Sequence, residues 1–150
     1  MTQFLLLLHI LGAATWLGAN VALLFLGRRY STTTGQVAAA HWRSSGAMGK
    51  LVQTPAAIVI LITGIALIVT GDGGVGFGST FVSIGFAVVI IGAILGMVVF
   101  GPKSEQAATL HEAGNTKEAA TVVSRLFASA TLDTALVVLA IAAMVGKWGA

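Results

Sequence analysis

The stretch that decides the fold is residues 4–27, FLLLLHILGAATWLGANVALLFLG, closed by Arg28 and Arg29. Its 24 residues include no Asp, Glu, Lys or Arg. A helix of that length, rising about 1.5 Å per residue, crosses the ~30 Å hydrocarbon layer of a bilayer. No basic residue precedes the run, and the run is longer than the apolar core of a signal peptide, so it reads as a retained spanning helix.

Working outward, three further apolar runs follow, at about 51–70, 80–101 and 122–145, the last closed by Lys147 and Trp148. None alternates with period two, which argues against a β-barrel. The whole chain of 150 residues is 57% hydrophobic and 9% charged, with a mean hydropathy of +0.96. Soluble domains carry roughly 25% charged residues. The expectation is one all-α domain over 1–150, an integral membrane four-helix bundle with antiparallel neighbours. The net charge of +3 does not indicate nucleic acid, because the basic residues sit between apolar runs, where they act as orientation signals. With no cysteine there is neither a disulfide nor a thiolate metal site.

Arg28, Arg29, Arg43 and Lys50 lie between the first two runs, and Lys103, Lys117 and Arg125 between the third run and the body of the fourth, against only Lys147 on the opposite side. This asymmetry predicts a multi-pass plasma (inner) membrane protein with N- and C-termini on the outer side. The glycine-rich segment 71–78 is the outer turn. Residues 36–42 form a helical extension at the membrane surface with Trp42 at headgroup depth, and residues 104–120 are helical. Pro55 cannot donate to the Leu51 carbonyl and kinks the second helix; Pro102 ends the third. His41 and His111, in the basic loops, read as solvated, with no spacing to support a joint metal site.

Polar groups at membrane depth are costly and face the bundle interior. His9, Trp16 and Asn20 are separated by steps whose sum, eleven residues, turns about 1100°, close to three full turns, so they share a face. Gly12 and Ala13 flank it and give a neighbouring helix room to approach. Asp133 is the only acid in any spanning run, and Ser129, Ala140 and Met144 share its face. In antiparallel helices, residues at equal depth have a constant index sum. His9 with Met144 and Asn20 with Asp133 both sum to 153, so these pairs are expected to meet. A protonated Asp133 hydrogen-bonded to Asn20 costs far less than a buried anion and is a structural role open to it. His9 has a similar alternative as a hydrogen-bonding residue within the bundle, and Met144 as packing.

No phosphate-binding loop and no His-Glu-x-x-His motif is present, and no Ser, His and Asp set falls at one depth. No catalytic residue is therefore assigned. With only His9 in a spanning helix, a bis-histidine haem is disfavoured. Haem or copper at His9 needs a weak second ligand such as Met144.

The string His9-Ile-Leu-Gly12-Ala-Ala-Thr-Trp16-Leu-Gly18 resembles the opening helix of the CopD-like (copper resistance protein D) superfamily of small membrane proteins. In length and layout, including Arg28-Arg29, the chain is most similar to a four-span family of unknown function. The resemblance extends more distantly to HemJ-type protoporphyrinogen oxidases, which implies haem b bound through His9. The third run lacks the lysine those enzymes carry, and the chain lacks the Met- and His-rich segments of a dedicated copper importer.

Three readings follow. One is a protein binding haem b or copper through His9 and Met144, with Trp16 beside the cofactor. Another is a proton-coupled carrier using the intramembrane polar pair Asn20 and Asp133. The third is an accessory subunit whose polar residues only hold helices together. Small-residue faces at Gly64 and at Gly85, Gly92 and Gly96 suit either a homodimer or close packing inside one bundle.

Overall fold

The computed structural model describes residues 2–71 and 75–149. The described chain is helical throughout: α1 (Thr2–Tyr30), α2 (Gly35–Met48), α3 (Thr54–Thr70), α4 (Thr80–Leu95), α5 (Gly101–Glu112) and α6 (Thr116–Val145). A π turn at Gly49–Gln53 joins α2 to α3, and another at Gly96–Phe100 joins α4 to α5. The result is four long rods, each long and apolar enough to cross a membrane. Part of the expected 71–78 turn, residues 72–74, lies outside the described residues.

Both π turns sit just ahead of a proline at the second position of the next helix, Pro55 and Pro102. Proline donates no hydrogen bond and crowds the carbonyl four residues back. Widening the helix by one residue makes room: the Thr54 N–H reaches the Gly49 carbonyl, and the Gly101 N–H reaches that of Gly96. The kink expected at Pro55 takes this form. Pro102, by contrast, does not end its helix, which continues to Glu112.

The true breaks fall at glycines in the left-handed region. Gly35 (φ 66°) opens α2, and Gly114 (φ 75°) separates α5 from α6. At the second break the Asn115 N–H bonds the Leu110 carbonyl at 2.9 Å, closing the helix end. After α6 the chain turns back, and the Trp148 carbonyl accepts the Phe81 N–H at 3.0 Å, satisfying one of the free donors in the first turn of α4.

α1 packs closely on α3, α4 on α6, and α1 on α6, whereas α3 and α4 barely touch. A Cβ on Gly12 would lie 2.8 Å from Ile60 Cγ1, so the glycine sets how near α1 and α3 come. Trp16, Ile60, Val88, Val137 and Ala140 form a buried layer across mid-helix. Large apolar side chains such as Phe25, Leu51, Ile62 and Met97 point outward, exposed, around the rods. That is the surface of a membrane-spanning helix bundle.

Beyond the π turns, α2 and α5 pack against each other and on the start of α6. Ala38, Ala39, Ala107 and Ala108 are fully buried there, and Gly46 faces Ser104. Such small side chains let the two helices close up. Trp42 is buried in this layer, edge-on to Phe127, with ring centroids 6.3 Å apart. His111 is likewise buried rather than solvated, and half-buried His41 stacks on Tyr30 at 4.5 Å.

Candidate functional site

The deepest polar cluster is built from three rods. Asp133 on α6 and Asn20 on α1 are each 1% exposed, the most enclosed large side chains in the described chain. Asn20 Nδ2 donates to Asp133 Oδ2 at 2.7 Å, and Trp16 Nε1 donates to the same oxygen at 3.0 Å. Gln53 Nε2, from the π turn before α3, donates to Asn20 Oδ1. Trp16 and Asn20 are four residues apart on α1, one helical turn, which lets both reach a single carboxylate oxygen. With Oδ2 taken by two donors, a proton on this carboxyl belongs on Oδ1.

Asp133 Oδ1 has no hydrogen-bond partner although it is enclosed. It abuts Gly92 of α4, where a Cβ would lie 3.2 Å from it and would overlap the Trp16 indole. Both Asp133 and Gly92 line a cavity of about 620 Å³ along the loose seam between α3 and α4. The cavity runs from Leu61 and Val89 at mid-helix to Gly46 and Glu105 beyond the π turns. Its walls are mostly apolar, and among the described residues Lys50 and Glu105 are the only other charged ones lining it.

His9 belongs to a second cavity in the same seam, about 450 Å³, on the side of the chain termini. Thr63 Oγ1 of α3 lies 3.0 Å from His9 Nδ1 and 2.6 Å from the Val59 carbonyl. With the hydroxyl proton on Val59, Nδ1 carries the ring proton and donates to Thr63, and Nε2 is the free nitrogen. Met144 lines the same cavity, but its methyl group lies against Gly85 of α4, while the His9 ring lies against Gly64 of α3. Leu61 and Val89 line both cavities and mark the boundary between them.

The structure thus brings Asn20 to Asp133, and His9 and Met144 to one cavity. Trp16 does not join His9: it lines the other cavity and serves Asp133. Three of the four glycines on the small-residue faces receive side chains of this chain, His9 at Gly64, Met144 at Gly85 and Trp16 at Gly92; only Gly96 has open space.

His9 and Met144 present one imidazole and one thioether to this cavity from opposite sides, donor types that suit His/Met haem iron or copper(I). A Thr63-oriented imidazole with a free Nε2 is the arrangement found in metal-ligating histidines. Among the described residues, no three His, Cys, Asp or Glu side chains come together to form a metal cluster.

Two participants were not singled out from the sequence, Gln53 and Thr63. Both are polar residues inside apolar runs, the same signal that marked Asn20 and Asp133.

No family model, no curated protein and no solved structure matches this chain.

Proposed function

We propose that the protein is a proton-coupled carrier for a small solute in the plasma (inner) membrane, its four helices antiparallel and its termini outside. The basic end, with Arg28, Arg29, Arg43, Lys50, Lys103, Lys117 and Arg125, then lies in the cytoplasm. The observation that carries the reading is the unpartnered Oδ1 of Asp133, enclosed at membrane depth beside a cavity of about 620 Å³. An ionisable group left with spare hydrogen-bonding capacity inside a membrane marks an ion or substrate path more often than a packing device. A purely structural carboxyl would have both oxygens satisfied, because an orphaned acceptor costs about 1–3 kcal/mol. The loose α3–α4 seam, with π turns on both walls, supplies the element that can open and close.

The test is electrical. Proteoliposomes on a solid-supported membrane are challenged with a panel of organic cations, organic anions, amino acids and sugars under an imposed pH gradient. At least one class gives a transient current that Asp133→Asn abolishes while the variant folds normally. A silent panel, or a current that survives Asp133→Asn, ends the reading.

The free Nε2 of His9, oriented by Thr63 and sharing a cavity with Met144, favours a second reading: a haem b or copper protein, in line with the CopD-like resemblance of the first helix. The bound group would supply electron transfer, and His9 and Met144 would hold it. The absorption spectrum and metal content of the pure protein decide this. A Soret band or stoichiometric copper that disappears in His9→Ala supports it, and a colourless, metal-free protein purified from haem- and copper-replete cells rejects it.

A further inference from the structure

We infer that the α3–α4 cleft takes a protonated primary or secondary amine with an apolar body and holds it through an N–H on Asp133 Oδ1. This rests on the carrier reading and names its substrate class.

The first argument is valence. Oδ2 already accepts two hydrogen bonds and Oδ1 accepts none, so what Oδ1 lacks is a donor. Away from water, a charged N–H donor to a carboxylate forms a much stronger bond than a neutral hydroxyl does. Quaternary ammonium ions, with no N–H, leave Oδ1 unsatisfied. The second argument is the wall. Ala57, Ile58, Val89, Ala93, Met97 and Phe100 offer hydrocarbon rather than polar partners, and Trp16 at the floor offers an aromatic face to a cation. A bare metal ion finds no further carboxylate or imidazole beside Asp133 among the described residues. The cavity, about 620 Å³, lies within the ~300–1,000 Å³ typical of small-molecule sites.

The third argument is access. Gly92 has no Cβ, and a Cβ there would stand 3.2 Å from Oδ1, between the carboxyl and the cleft. The groups facing Asp133 are Trp16 and Asn20 from α1 and Gly92 from α4, with Gln53 of the π turn behind Asn20, and none of them titrates near neutral pH. Lys50 and Glu105, the other charged residues of the cleft, are exposed at its far end, and Arg125 on α6 is exposed. No fixed cation competes for Oδ1.

The test uses the purified full chain in detergent, with 2-(2-naphthyl)ethylammonium and its neutral counterpart 2-(2-naphthyl)ethanol as probes. Calorimetry reads the affinity of each. The expected result is that the amine binds at least about ten-fold tighter than the alcohol, as a charge-assisted bond requires. Equal binding of the two probes overturns the inference. Asp133→Asn removes the preference for the amine and leaves the alcohol bound. Should that variant not fold, Gly96→Leu fills the open end of the cleft without touching Asp133 and weakens both probes; unchanged binding there overturns the location. Amine binding with no current in proteoliposomes rejects the carrier and keeps the site. A current with another solute class and no amine binding does the reverse.

Discussion

Asp133 and Glu112 are both carboxylates held by nitrogen donors from another helix, yet they sit in opposite surroundings. Asp133 is 1% exposed among Trp16, Asn20 and apolar walls. Glu112 lies on the outside of the α2–α5 layer, where Arg43 grips it with two N–H donors, one at 2.9 Å, and reaches Glu105 at 3.2 Å with a third. By bond count the two clusters match, three side-chain hydrogen bonds each. Physically the surface cluster is the weaker, because water competes for every one of its donors and salt screens its charges. The buried cluster has no such competitor, so each donor it loses remains unpaired. Hydrogen bonds in a membrane protein therefore have to be weighed by what replaces them.

The largest effect should come from Asp133→Ala. It strands the indole N–H of Trp16 and the amide N–H of Asn20, and it leaves a void. Unfolding in mixed detergent should show a loss of about 2–4 kcal/mol. Asp133→Asn keeps an acceptor for both donors and should cost about 1 kcal/mol or less by the same reasoning. Equal costs for the two variants would mean that the donors contribute nothing and would dissolve the contrast with Glu112.

Gly92→Ala comes next. Its Cβ would collide with the six-membered ring of Trp16, which is itself pinned by its bond to Asp133. The rigid indole has to shift, at about 1–3 kcal/mol. Gly85→Ala also produces a close contact, 2.7 Å, but with the end of Met144, a flexible side chain that can swing away. Thermal shift should rank Gly92→Ala well below Gly85→Ala in stability. Similar melting temperatures for the two would argue against a fixed indole at the floor of the cleft.

How much of this was legible in the sequence follows from the same physics. The four spans were, because a run such as 4–27 has no other soluble or barrel solution. The meeting of Asn20 with Asp133 was legible too, since helical periodicity and equal depth leave a lone buried acid few partners. The place of Trp16 was not. Residue spacing puts it on the His9 face, and only the packing of α6 decides that its N–H serves Asp133. The α2–α5 layer was hidden for a different reason. Its core is Ala38, Ala39, Ala107 and Ala108 among polar residues, so the helices were legible but their packing was not, because close packing of small side chains leaves no apolar signature. His111 was consequently expected in water and is found buried. Pro102 misled because a π turn can absorb a proline that would otherwise end a helix.

The smallest effect belongs to Glu112→Gln, and its pH dependence shows where the pair stands. Hydrogen bonds from Arg43 hold the Glu112 carboxyl below its ordinary range. A carboxyl whose value is lowered on folding contributes stability above its unfolded value, about 4.3, and loses that contribution as pH falls through the folded value. Any advantage of the wild type over Glu112→Gln should therefore be present at neutral pH, fade in acid below that point, and shrink at high salt. At neutral pH it should remain far smaller than the cost of Asp133→Ala, because both partners of the ion pair are solvent-exposed. The Asp133→Ala deficit should respond far less to salt, since buried groups are screened much less than exposed ones. If Glu112→Gln proved as costly as Asp133→Ala and equally indifferent to salt, α5 would be shielded from water. The α2–α5 layer would then belong within the membrane, and the spans would extend outward along both rods past the two π turns.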